Sequence, residues 1–255
     1  MIDNKVVVGI SQGDLNGIGL EIILKTLSEP GIFEICVPVL FSSQKTVSYF
    51  RKMLNMDEFN FNPLRDFNNV HTKKPNVFIC YEEEVTIEMG KATPLSGKYA
   101  KLSLEAATMA LFDKKIDVLV TAPINKHAMQ EAGFNYPGHT EYLGDKLGGK
   151  PLMLLCSGDL RIAIVTGHIP VKNISEKITT SNILEKINQL HASLVKDFGI
   201  RKPKIAVLGL NPHAGENGAI GDEEKTAILP AIEKAKESML VYGPYSADGF
   251  FGNNT

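Results

Sequence analysis

The chain has 255 residues, 44% of them hydrophobic, with 27 Lys and Arg set against 29 Asp and Glu. That is apolar material for one large α/β domain or two smaller lobes, and a formal charge of -2 offers no basic surface of the kind that nucleic acid or an anionic membrane selects. No apolar run approaches the roughly 20 residues that span a bilayer, and the N-terminus carries Asp3 and Lys5 and runs straight into a strand pattern rather than a signal peptide, so a cytoplasmic protein is expected.

Val6 to Ile10 reads as a buried strand, followed by a glycine-rich turn and a helix over Gly19 to Leu27. A second strand is expected over Ile35 to Phe41, with Ser43 opening a helix towards Leu54. Asn55 to Pro75 is polar and reads as irregular, and Val77 to Tyr81 as another strand. Between Ser96 and Phe112, the residues Tyr99, Leu102, Ala106 and Met109 recur at steps of three and four, which predicts a helix buried along that stripe. Ile116 to Val120 is β-branched and apolar, a strand. Pro151 to Cys156 and Arg161 to Val165 flank Ser157-Gly158-Asp159, the pattern of a hairpin. Asn173-Ile-Ser-Glu176 has the spacing of a capping box, ahead of a helix with Ile183, Ile187, Leu190 and Leu194 on one face. A strand over Lys204 to Leu210, a helix over Glu223 to Glu237 that starts anew or bends at Pro230, and a strand over Ser238 to Tyr242 complete the order.

Strands alternating with helices imply an α/β fold, a mainly parallel sheet with helices on both faces, and the hairpin adds an antiparallel element. No repeat or linker marks a boundary, so residues 1–255 are read as a single unit whose internal lobe boundary is not visible. Cys36, Cys80 and Cys156 each lie in an apolar run without paired spacing, and read as buried free thiols.

Ligands of open parallel sheets gather at the carboxyl ends of strands, so the segments after each strand are the places to look. Ser11-Gln-Gly-Asp-Leu-Asn-Gly-Ile-Gly19 follows the first strand. Its spacing is neither a dinucleotide fingerprint nor a Walker A loop, and it serves either as a structural turn or as a polar contact through Asp14. Thr121-Ala-Pro-Ile-Asn-Lys126 offers Lys126 to an anion or to solvent. Tyr136-Pro-Gly-His-Thr-Glu141 reads as a turn into a helix start, where free amides attract anions and His139 and Thr140 add donors; simple capping by Thr140 is the alternative. Thr166-Gly-His-Ile-Pro170 and Asn211-Pro-His-Ala-Gly-Glu216 place His168 and His213 just beyond apolar strands. Neutral imidazole is a common ligand of divalent metals, and two such histidines can share one ion. His71, His127 and His191 read as structural or surface residues.

Taken in order, Gly13-Asp14-Leu-Asn-Gly17-Ile-Gly19-Leu-Glu21, Thr121 to Lys126, Gly138-His139-Thr140-Glu141, Thr166 to Pro170 and Leu210 to Glu216 resemble the 4-hydroxythreonine-4-phosphate dehydrogenase family of pyridoxal phosphate biosynthesis. The resemblance implies a fold similar to isocitrate and isopropylmalate dehydrogenases, with two lobes around a cleft. It implies a homodimer with the active site near the subunit interface, NAD or NADP as cofactor, and a divalent metal (Zn, Mg, Mn or Co). His139 and Thr140 match the family's substrate-binding pair, and His168 and His213 match two of its three metal-binding histidines. Asp248 matches an acidic position near the active site, and with Lys126 it is a candidate catalytic group. Family members continue with a His-Asp-Gln-Gly stretch carrying the third metal histidine, then a substrate-binding Lys, Asn and Arg, so the 255 residues are expected to be C-terminally incomplete. The implied reaction is oxidation and decarboxylation of 4-phosphooxy-L-threonine. A paralogue acting on threonate or erythronate 4-phosphate, a phosphate acyltransferase, and a non-catalytic binding or dimerisation module are the competing readings.

Overall fold

The computed structural model describes residues 5–252; Asp3 and the C-terminal Asn253-Asn254-Thr255 lie outside the described residues. It divides into two compact units, Met1–Pro151 and Leu152–Thr255, a boundary that falls at the first residue of the expected hairpin.

In the first unit β1 (Val6–Ser11), β2 (Cys36–Ser42), β3 (Asn62–Leu64), β4 (Asn76–Ile79) and β5 (Val118–Thr121) form a parallel sheet in the order β3-β4-β2-β1-β5. Strand β2 is buried along its whole length, as a central parallel strand must be when both its faces are covered. Its side chains alternate accordingly. Leu40 joins Leu24, Val47 and Val77 in one core, with helices α1 (Gly19–Leu27) and α3 (Gln44–Met53). Val37, Val39 and Phe41 join Ala107 and Ile116 in another, closed by helix α4 (Pro94–Phe112). A short helix α2 (Ile32–Ile35) leads into β2. Strand β3 arises inside the stretch expected to be irregular.

Helix α4 exists where periodicity places it, but on a different face. Tyr99, Ala100, Ser103, Leu104 and Ala107 are buried, whereas Met109 is 59% exposed. Small residues face inwards because helix α5 (Lys126–Glu131) packs closely: a Cβ on Gly97 would lie 2.0 Å from the Ala128 carbonyl oxygen. A stripe defined by large apolar residues misses a contact made by small ones. Helix α6 (His139–Lys146) ends this unit.

The second unit opens with the antiparallel hairpin of β6 (Leu154–Ser157) and β7 (Leu160–Ala163), turned at Gly158 and Asp159. Helices α7 (Ile174–Lys177) and α8 (Thr180–Lys196) follow, then β8 (Lys204–Leu208), which pairs in parallel with β9 (Leu240–Tyr245). Helix α9 (Leu229–Lys236) lies between these strands, and α10 (Ala247–Phe250) after them. Ile183, Ile187 and Leu194 of α8 pack with Ile205, Ile232 and Val241 in the core. The expected capping box does not form. Asn173 makes no side-chain cap, and the long helix is instead capped by Thr179, whose hydroxyl accepts the Asn182 amide at 3.2 Å. The turn Glu224–Ile228 before α9 has π geometry. Pro230 explains it, since it has no N–H to offer the Thr226 carbonyl four residues back.

Of the three thiols, Cys36 is buried and Cys80 half-buried, its thiol pushed up to about 12 by burial. Cys156 corrects the sequence reading: it sits exposed on the hairpin. Among the described residues no helix is long and apolar enough to cross a membrane.

Candidate active site

The glycine-rich segment after β1 is held from below by a buried polar cluster. Gln12 is fully buried; its Oε1 accepts from Ser42 Oγ at 2.5 Å and from the Tyr81 hydroxyl at 3.0 Å, and its Nε2 donates to the Tyr99 carbonyl at 3.0 Å. Asn16 fastens the far side of the loop, donating to the Lys91 carbonyl and accepting the Glu88 amide. Gly13 has a φ of +72° and a Cβ there would lie 2.4 Å from the Pro123 carbonyl oxygen, so only glycine lets the Asp14 amide donate to that oxygen at 2.9 Å. The loop after β1 is thereby joined to Thr121–Lys126 after β5, the neighbouring strand. Asp14, half-buried, accepts the Asn16 amide.

Lys126 is exposed at the first residue of α5, whose cap is the Asn125 side chain. Helix α6 differs: Gly138 stands at its N-cap and no side chain caps it, which leaves its first amides free to meet an anion. Thr140 therefore is not the cap. His139, the first residue of α6, has its Nε2 buried without a hydrogen-bond partner. Burial, aided by the Lys126 charge, lowers the His139 pKa, so the ring is neutral near pH 7. A buried polar atom left without a partner costs free energy, and its position beside uncapped amides is what a site for a polar ligand looks like.

In the second unit His168 lies exposed in the bend after β7, and His213 exposed in the turn after β8. The Nδ1–H of His213 donates to Asp248 Oδ2 at 2.8 Å. Asp248 in turn accepts from the Ser246 hydroxyl, which is the main reason its carboxyl is held below the usual range. Exposed pairs of this kind add little stability. Their effect is to fix the tautomer and leave Nε2 as the open atom, the arrangement of a metal-ligating histidine oriented by a carboxylate. The two imidazoles thus suit a divalent cation chemically, although among the described residues no group of three His, Cys, Asp or Glu converges on one point.

The turn carrying His213 has unusual backbone. Residues His213, Ala214, Gly215, Glu216 and Asn217 all have positive φ, between 41° and 78°. Left-handed backbone costs non-glycine residues roughly 1–2 kcal/mol each. Beneath the turn Glu224 Oε1 accepts the Leu210 and Asn211 amides, each at 2.8 Å, and its Oε2 accepts Asn211 Nδ2 at 2.9 Å.

Sequence reasoning missed the roles of Gln12, Asn16 and Glu224, which bond to the backbone of other segments, and of Asn211, which bonds to the Glu223 and Glu224 carboxylates. Of the other histidines, His127 is exposed and 3.6 Å from Glu131, and His71 Nδ1 accepts the Lys73 amide, both surface roles. An apolar groove of about 430 Å³ in the second unit, lined by Ile183, Ile187 and Leu190, contains none of the candidate residues.

The family model described as pyridoxal phosphate biosynthetic protein PdxA matches residues 34–255. A 4-hydroxythreonine-4-phosphate dehydrogenase of Bacteroides thetaiotaomicron is 45% identical, over 99% of this chain and 70% of that protein. A Clostridium botulinum protein provisionally named D-threonate 4-phosphate dehydrogenase is 34% identical, over 98% of this chain and 76% of its own length. Among solved structures, a 4-hydroxythreonine-4-phosphate dehydrogenase from Burkholderia phymatum superposes with a TM-score of 0.83 at 31% identity, covering 98% of this chain and 77% of that one.

Proposed function

Because the chain belongs to the PdxA family of pyridoxal phosphate biosynthetic proteins, we propose that it oxidises the secondary alcohol of 4-phosphooxy-L-threonine, with NAD or NADP as hydride acceptor. The β-keto acid so formed loses carbon dioxide to give 3-amino-2-oxopropyl phosphate. The observation that carries this reading within the chain is the unpartnered His139 Nε2 at the uncapped start of α6. His139 and Thr140, with the free amides of α6, bind the charged end of the substrate. Lys126 adds positive charge to the same anion. Holding the substrate there orients the alcohol carbon, and orientation supplies much of a rate enhancement. His168 and His213 would hold the divalent cation, with Asp248 keeping the His213 ring in register. A cation so held would supply Lewis acidity to an alcohol oxygen. This makes Asp248 a positioning group rather than a proton carrier.

The family resemblance extends the reading to a cytoplasmic homodimer, which sedimentation of the purified chain tests. A second reading, oxidation of D-threonate 4-phosphate, is favoured by the Clostridium botulinum relative. Nicotinamide reduction by the purified chain, with each substrate and each dinucleotide, separates the two. Turnover of 4-phosphooxy-L-threonine above that of threonate 4-phosphate is expected; the reverse order transfers the assignment.

A further inference from the structure

Glu224 is a buried carboxylate, 5% exposed, outside every motif that carries the family resemblance. Burial alone would raise its pKa, but the Asn211 side chain and the amides of Asn211 and Leu210 outweigh burial and keep it ionised. Its acceptors are not spread over a helix end. They converge on the two residues that lead from β8 into the left-handed turn, and the neighbouring Glu223 takes the other hydrogen of Asn211 Nδ2 at 2.7 Å. The turn is shaped around the carboxylate: at Gly215, with φ +78°, a Cβ would lie 2.6 Å from Glu224 Oε2. His213 is two residues beyond Asn211, and its other fixed point is Asp248.

We infer that Glu224 is the positioning residue of His213, a buried charge that holds the left-handed turn and thereby aims the imidazole at its ligand. The inference deepens the proposed function and rests on His213 being a metal ligand. Glu224→Gln is the direct perturbation, because it replaces one acceptor oxygen with a donor facing donors. Glu224→Asp, which keeps the charge and shortens the reach, serves if the first variant does not fold. Ile232→Val, in the core of the same unit, controls for general destabilisation.

Two readouts apply to each purified variant. Metal-free amide exchange at Leu210 and Asn211 reports the turn itself, and Co²⁺ titration followed by visible absorption reports the imidazole. Glu224→Gln is expected to speed exchange and weaken Co²⁺ binding by about tenfold or more each, with Glu224→Asp between it and the parent, while Ile232→Val stays within about twofold of the parent. Parent-like exchange in Glu224→Gln, or equal losses in Ile232→Val, overturns the inference. His213→Ala distinguishes the underlying reading: if it binds Co²⁺ as the parent does, His213 is not a ligand, the aiming role falls, and the exchange arm decides only whether Glu224 holds the turn.

Discussion

Replacing Gln12 with leucine tests whether the buried polar cluster supports the loop after β1. The substitution keeps approximate volume but removes every hydrogen bond the Gln12 side chain makes. Ser42 Oγ loses its acceptor and the Tyr99 carbonyl loses a donor, while the Tyr81 hydroxyl retains Thr46 Oγ1 at 3.1 Å. A buried polar group left without a partner costs about 1–3 kcal/mol. Ser42 Oγ is stranded in this way, whereas the Tyr99 carbonyl keeps its acceptor role inside helix α4, so the expected destabilisation, offset in part by burying leucine, is about 1–3 kcal/mol. The chain has no tryptophan and seven tyrosines, of which Tyr49, Tyr81, Tyr99, Tyr136 and Tyr142 lie in the first unit. Urea unfolding followed by tyrosine fluorescence therefore reports chiefly on that unit. Adding Ser42→Ala should recover part of the loss, because removing both partners is cheaper than stranding one. A single-variant loss below about 1 kcal/mol, or a double variant no better than the single, would refute the reasoning.

Asp248→Ala should weaken divalent metal binding by about 10- to 100-fold while leaving the melting temperature unchanged, because the pair with His213 is exposed and acts on orientation; calorimetric titration alongside a thermal melt checks both halves. His139 has a folded-state pKa lowered below 6.5, so the unfolded chain binds its proton first. Its contribution to stability is present above pH 6.5 and declines as the pH falls towards the lowered value, and His139→Gln should flatten that acid limb in a pH series of melts. Thr179→Ala should cost about 1 kcal/mol through the lost cap of α8, and Asn173→Ala under about 0.5 kcal/mol, as read by chemical denaturation.

Most strands and helices were legible because their signals are local. The helix Gly19–Leu27 begins and ends where glycine and apolar spacing place it, and Ser43 caps α3 through the Thr46 amide as the sequence suggests. The face of α4 was not legible, since packing against α5 is decided by Gly97 and Ala128, residues too small to register in a hydrophobic period. The cap of α8 was misplaced because Asn173 and Thr179 both offer suitable side chains, and only the tertiary path of the chain selects between them. Among the candidate site residues, His139, Thr140, His168 and His213 announced themselves by following strands or opening a helix. Gln12 and Glu224 could not, because Gln12 works through the hydroxyls of Ser42 and Tyr81 and the Tyr99 carbonyl, and Glu224 through the amides of Leu210 and Asn211, partners that no local spacing reveals.

The turn over residues 213–217 is, in effect, a short piece of mirror-image chain. A D-amino acid reaches such angles without its Cβ crowding the carbonyl oxygen. D-alanine in place of Ala214 in a semisynthetic chain should therefore tighten the turn, whereas the same replacement within α8 would interrupt the helix. At this one stretch stereochemistry, more than side-chain identity, governs how well a residue suits its place.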